Sequence, residues 1–185
     1  MKRRTWALLI AVAGLLAGCV VTSVYPFYTA KDLAYRPDLL GTWTKDSEQW
    51  KFERDGDQAY QLTYSEDGKA SVMKAHLFQL RGKLFLDLYP AKDYDLDTCL
   101  QPIPSHLVMR VKQLEPTLTL ATLSYDWLQE FLQKNPKAIR YIMVNPDGKT
   151  DKGRIVLTAS TADLQRFLLK HLNTPGAWDD FELKR

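Results

Sequence analysis

The sequence predicts a mainly β fold with two helices: an antiparallel meander, strongly curled or closed into a barrel, with the helices packed outside. Three observations predict it. From Leu39 onward, short runs rich in β-branched and aromatic residues follow one another with turn residues between them. The connections are short, and short connections join antiparallel neighbours. Two amphipathic helical stripes come late in the chain, after a strand that is apolar on both faces.

The strands are expected near residues 40–45, 49–54, 58–65, 70–80, 83–89, 106–113 and 117–124, separated by Asp55-Gly56, Asp67-Gly68, Arg81-Gly82 and Glu115-Pro116. In Tyr60-Gln61-Leu62-Thr63-Tyr64 the alternation is clean, which puts Tyr60, Leu62 and Tyr64 on one buried face. Leu84-Phe85-Leu86-Asp87-Leu88-Tyr89 is apolar on both faces except at Asp87, so something must cover the outside of the sheet there. A buried carboxyl is costly unless partnered, and Arg110, in the strand 106–113, is the partner this reading selects for Asp87.

Ser124 can cap a helix over residues 125–134, in which Trp127, Leu128, Phe131 and Leu132 make an apolar stripe before Asn135-Pro136 stops it. Ser160, with Asp163 three residues on, opens a second helix from 161 to about 172, with Leu164, Phe167, Leu168 and Leu172 on one face. Between the helices, residues 140–144, the turn Asn145-Pro146-Asp147-Gly148 and residues 154–159 read as a further hairpin.

Ahead of the strands the chain has a different character. Met1-Lys2-Arg3-Arg4 is cationic, residues 6–16 are apolar, and Leu16-Ala17-Gly18-Cys19 follows at once, the three-part layout of an export signal. The apolar run falls short of the ~20 residues a spanning helix needs. At all four positions Leu16-Ala17-Gly18-Cys19 resembles the lipobox of bacterial lipoproteins. The resemblance implies cleavage before Cys19, a diacylglyceryl thioether on its sulfur and a further acyl group on the new amino terminus. Val20, rather than an aspartate, follows the cysteine, which by the same resemblance favours the outer membrane of a Gram-negative envelope.

The expected organisation is therefore a signal peptide over 1–18, a lipidated tether over 19–38, and a single β-rich domain over 39–185. Cleavage would remove three of the 25 basic residues, Lys2, Arg3 and Arg4, leaving 22 against 22 acidic ones. That balance withdraws the compositional case for a nucleic-acid partner. Lipidation of Cys19 would leave Cys99 as the other of two cysteines, so no internal disulfide is expected. The tether's Tyr25-Pro26-Phe27-Tyr28 and Tyr35-Arg36-Pro37 set aromatics beside prolines that exclude regular helix and are expected to pack back on the domain.

Gly41-Thr42-Trp43, at the head of the first strand, resembles the Gly-x-Trp start of the lipocalin and wider calycin barrels. That likeness implies a barrel with the tryptophan plugging one end. A broader likeness, carried by Gly41-Thr42-Trp43, His76-Leu77-Phe78, Leu84-Phe85-Leu86-Asp87, His106-Leu107 and Leu157-Thr158-Ala159-Ser160, is to a set of small bacterial proteins, and it implies no particular activity.

No reaction is legible. There is no Gly-rich phosphate loop, zinc-type cysteine cluster or Gly-x-Ser-x-Gly elbow, and no cofactor pattern. Asp93, Asp95 and Asp97 alternate with the spacing of the first calcium-loop ligands, but the glycine and glutamate of a calcium loop are missing and Pro104 stands at the twelfth position. Cys99 and His106 sit on no recognisable nucleophile elbow. The expectation is a non-enzymatic binding domain for an apolar or small ligand, with Trp43, Tyr60, Tyr64 and His76 as candidate ligand contacts. The alternative is an envelope protein that works by binding another protein, through an exposed edge or through residues 90–105, as an assembly factor or inhibitor.

Overall fold

The computed structural model describes residues 20–91, 105–144 and 153–185. The expected export signal over 1–18, Cys19, the Asp93, Asp95 and Asp97 run, Cys99 and the expected turn at Asn145-Pro146-Asp147-Gly148 lie outside the described residues.

The fold is mainly β, with a closed eight-stranded antiparallel barrel and two helices. The chain first makes β1 (Thr22–Ser23), then runs through β2 (Gly41–Lys45), β3 (Glu48–Arg54), β4 (Tyr60–Glu66), β5 (Lys69–Leu80), β6 (Lys83–Pro90), β7 (Leu107–Gln113) and β8 (Thr117–Leu123). Each strand from β2 to β7 pairs with its successor. The two-residue turns at Asp67-Gly68 and Arg81-Gly82 place both residues at positive φ, 48° and 76° in one and 48° and 78° in the other. That backbone hand matches the twist of a hairpin, and glycine adopts it without a side-chain clash.

Helix α1 (Tyr125–Lys134) follows β8, then come β9 (Tyr141–Val144), β10 (Arg154–Leu157) and α2 (Thr161–Lys170). Ser160 caps α2, its hydroxyl oxygen accepting from the Asp163 amide. The last strand, β11 (Trp178–Lys184), lies between β8 and β2 and closes the barrel. It is an element beyond the expected strands. Asp179, Asp180, Glu182 and Lys184 dilute its apolar content, and of its inward face only Phe181 and Leu183 carry a hydrophobic signal.

Two cores result. The barrel interior is lined by the inward half of each strand, including Trp43, Trp50, Phe52, Tyr60, Leu62, Leu77, Leu86, Leu118, Leu120 and Leu183. The outward half of β5 to β8, with Phe78, Leu80, Phe85, Val108 and Leu123, meets Leu128 and Leu132 of α1, Leu164, Phe167 and Leu168 of α2, and Ile155 and Leu157 of β10. This is the outside cover demanded by the two-sided apolar strand β6. A small sheet of order β1-β10-β9 extends that layer.

Residues 20–40 form a strap over the outer wall. Ser23 exchanges both backbone bonds with His106, the Ala34 amide donates to the Leu77 carbonyl, and Phe27 is completely buried. Of the aromatics beside the prolines, Phe27, Tyr28 and Tyr35 pack on the barrel, Tyr28 against His76 and Phe78 and Tyr35 stacked on Tyr60, whereas Tyr25 is exposed.

Candidate ligand-binding site

A barrel presents alternate residues to its interior, so strand register decides which side chains meet there. One end is filled. Trp43 is fully buried and donates from its indole nitrogen to the Leu39 carbonyl at 2.9 Å, and the Arg185 guanidinium lies 4.7 Å from its ring centroid. Arg185 also donates to the Asp38 and Leu40 carbonyls and pairs with Glu115. The Tyr60 hydroxyl accepts from the Arg36 amide and donates to the Arg36 carbonyl, which ties the strap to the same end. Trp43 thus fills this end of the barrel.

The other end is hollow. A cavity of about 300 Å³ is lined by Trp50, Tyr64, Met73, Leu88, Leu107, Met109 and Phe181 from the inward faces of β3 to β7 and β11. Its rim is completed by Val20, Val21, Thr122, Leu123, Ser124, Tyr125, Asp126 and Asp179. Here β8 leaves the barrel for α1, and the strap enters beside it. The volume sits at the lower end of the ~300–1,000 Å³ range of small-molecule pockets. The wall is aromatic and aliphatic, with Trp50 edge-on to Tyr64 at 5.5 Å and tilted to Phe181 at 5.9 Å.

The polar groups at this mouth are mainly acidic. Glu48, 2 % exposed, accepts from the Trp50 indole at 3.3 Å, and Tyr64 donates to Glu66 at 2.6 Å. Burial first, then the bond to Glu66 and the charges of Glu48, Glu66 and Asp67, push the Tyr64 phenol well above its ordinary value. Asp126 and Asp179 lie in the rim itself. Cations stand at the same end: the Lys45 ammonium lies 5.6 Å from the Phe181 ring centroid, and Lys69 pairs in register with Glu66.

Of the four side chains expected to contact a ligand, Tyr64 lines the cavity, while Trp43 and Tyr60 belong to the filled end. His76 does not face the interior at all. Its neighbours Ala75 and Leu77 point inward, so the alternation of β5 turns His76 outward, under the strap. There the Tyr28 hydroxyl sits 3.0 Å from its Nδ1. Burial holds the His76 imidazole below its ordinary value, although Asp87 pulls the other way, and burial with the Asp87 charge raises the Tyr28 phenol to about 12. A neutral ring accepting from a protonated phenol fits both directions.

Asp87, which pairs in register with His76, is the polar anchor of this outer wall. Its Oδ2 accepts from the Phe27 amide at 3.1 Å and its Oδ1 lies 2.7 Å from His106 Nδ1. The partner is therefore His106, not Arg110. Asp87 stands opposite Val108 in the β6–β7 register, two residues from Arg110, whose guanidinium donates to the Leu172 carbonyl just beyond α2. Tyr89 covers His106 at 4.5 Å between ring centroids. Among the described residues the hydrogen bonds of the Asp87 carboxyl run to the Phe27 amide and His106, and none joins the pair to a serine or threonine hydroxyl. The pair fastens the strap. Among the described residues no group of three or more His, Cys, Asp or Glu is placed to hold a metal ion.

Sequence reasoning missed Met73, Leu88, Leu107 and Met109 as cavity wall. Aliphatic residues fill any barrel interior, and nothing in their identity says which end stays hollow. No family model, no curated protein and no solved structure matches this chain.

Proposed function

We propose that this protein is a lipid-anchored envelope protein, acylated on Cys19 and held at a membrane surface, favouring the outer membrane, whose barrel binds a small apolar ligand at its hollow end. The observation that carries the binding reading is the cavity of about 300 Å³ walled by Trp50, Tyr64, Met73, Leu88, Leu107, Met109 and Phe181. A side-chain-filled barrel would leave no such space, and burying a ligand's hydrocarbon there would gain about 25 cal/mol for each Å² removed from water. The acidic mouth adds selectivity. A fatty-acid carboxylate would meet Glu48, Glu66, Asp126 and Asp179, whereas a neutral or cationic head would not be repelled.

The anchor reading is supported by Leu16-Ala17-Gly18-Cys19 and the apolar run before it. It agrees with the position of Val20 and Val21 in the cavity rim, which would bring the lipidated residue close to the mouth.

Fluorescence of Trp50 tests the binding reading. A neutral naphthylamine probe should bind saturably and quench the tryptophan, a polyene fatty acid should bind roughly tenfold more weakly, and Met109→Trp should block both by filling the space. Absence of saturable binding by any apolar probe would overturn the proposal. The anchor is tested separately by Cys19→Ser, which should abolish metabolic labelling by fatty acid and release the protein from membranes. Unchanged membrane retention would refute it.

A further inference from the structure

A second concavity lies on the far side of the helical layer, and its chemistry is the opposite of the barrel mouth. Residues 135–140, which connect α1 to β9, supply Lys137 and Arg140, and α2 supplies Asp163, Arg166 and Lys170 at i, i+3 and i+7, one face of the helix. These side chains, with Ile139, Phe167 and His171, line an open hollow of about 410 Å³.

Four cations therefore share one hollow with one carboxylate. That carboxylate is already engaged: Asp163 accepts from the Ser160 hydroxyl at 2.7 Å and pairs with Arg166, and its carboxyl is held below the ordinary value by Ser160 and by the charges of Arg166 and Arg140. Among the described residues Lys137, Arg140 and Lys170 form no ion pair. The C-terminal end of α2 accounts for Lys170, because a cation is favourable at that end of the dipole. It does not account for Lys137 and Arg140, which belong to another element.

The inner wall carries a second sign. His171, 6 % exposed, is held among Trp127, Phe131 and Phe167 with ring centroids 5.0, 4.8 and 4.6 Å away, and its Nδ1 is 3.3 Å from the Thr174 hydroxyl. Its Nε2 is buried, with no hydrogen-bond partner among the described residues. If the threonine donates to Nδ1, the ring proton sits on Nε2, a donor with nothing to donate to.

We infer that this concavity is a binding site for a phosphate-type oxyanion, held by Lys137, Arg140, Arg166 and Lys170 with His171 behind them. Such an anion removes the mutual repulsion of the four cations, and the guanidinium of Arg140, which forms no ion pair among the described residues, offers it paired donors in fork geometry. A free phosphate or soluble phosphomonoester and a phospholipid headgroup share this chemistry. The site is independent of the apolar cavity and of the reading given to it.

The full-length chain in detergent, titrated with inorganic phosphate at constant ionic strength, tests the site through the NMR signals of the histidine rings. The His171 signals should shift and saturate, and in Lys137→Ala/Arg140→Ala, where both replaced side chains are exposed, the apparent affinity should fall roughly tenfold or more. A parallel arm adds vesicles of phosphatidylglycerol or of phosphatidylcholine alone. Saturation by phosphate itself identifies a soluble anion; saturation only by phosphatidylglycerol vesicles identifies a headgroup, and either result supports the site. No saturable shift in either arm, or equal binding by the double variant, would overturn it.

Discussion

Asp87 shows how much one side chain settles in this protein. It is completely buried, it interrupts an otherwise apolar strand, and its two oxygens take a backbone amide of the strap and the imidazole of His106. Both partners lose their acceptor together if it is removed. Asp87→Ala should therefore destabilise the fold by about 3 kcal/mol, the cost typical of breaking a buried hydrogen-bonded pair from one side. Urea unfolding followed by tryptophan fluorescence would measure it, and a midpoint unchanged from the parent would show that the strap is held by its apolar contacts alone. That Asp87 needed a partner was legible in its neighbours, Phe85, Leu86 and Leu88. Which partner was not, because Arg110 and His106 lie on the same strand or at its start, and only the β6–β7 register separates them.

At the scale of elements, the sequence was most informative where period and punctuation agreed. The seven expected strands all form, their ends moved by a residue or two, and both helices begin where Ser124 and Ser160 can cap them. Hydrophobic alternation also fixed the faces: Tyr60, Leu62 and Tyr64 do share the interior. It could not say how deep each of them sits. Tyr60 reaches the plugged end and Tyr64 the hollow one because β4 runs from one end of the barrel to the other, so side chains four residues apart on one face meet different surroundings. The same limit misplaced His76, whose outward direction follows from the parity of β5. The cationic hollow was illegible for another reason. Its members are spread from Lys137 to Lys170 without a motif, and folding alone brings the α1–β9 connection onto α2.

Taken whole, the molecule is a cylinder stoppered at one end and open at the other, with a layer of helices and a three-stranded sheet along one side. Its continuity depends on β11, which shares seven register positions with β8 and meets β2 at Lys184 and Thr44. Removing residues 178–185 should uncover Leu118 and Leu120, take Arg185 from the face of Trp43 and abolish cooperative unfolding. A sharp urea transition in the truncated chain would show that seven strands suffice to hold the interior together.

The seam between β2 and β11 also imposes an order in time. Thr44 is synthesised 140 residues before the Lys184 it pairs with, and every strand between them can find its neighbour sooner. Hairpins over β2 to β8 are local, and local contacts form early. Until residues 178–184 arrive the sheet has two bare edges and an uncovered apolar face, a state prone to pairing with other chains. If the protein crosses a membrane amino terminus first, the cylinder cannot shut until residues 178–184 have passed through.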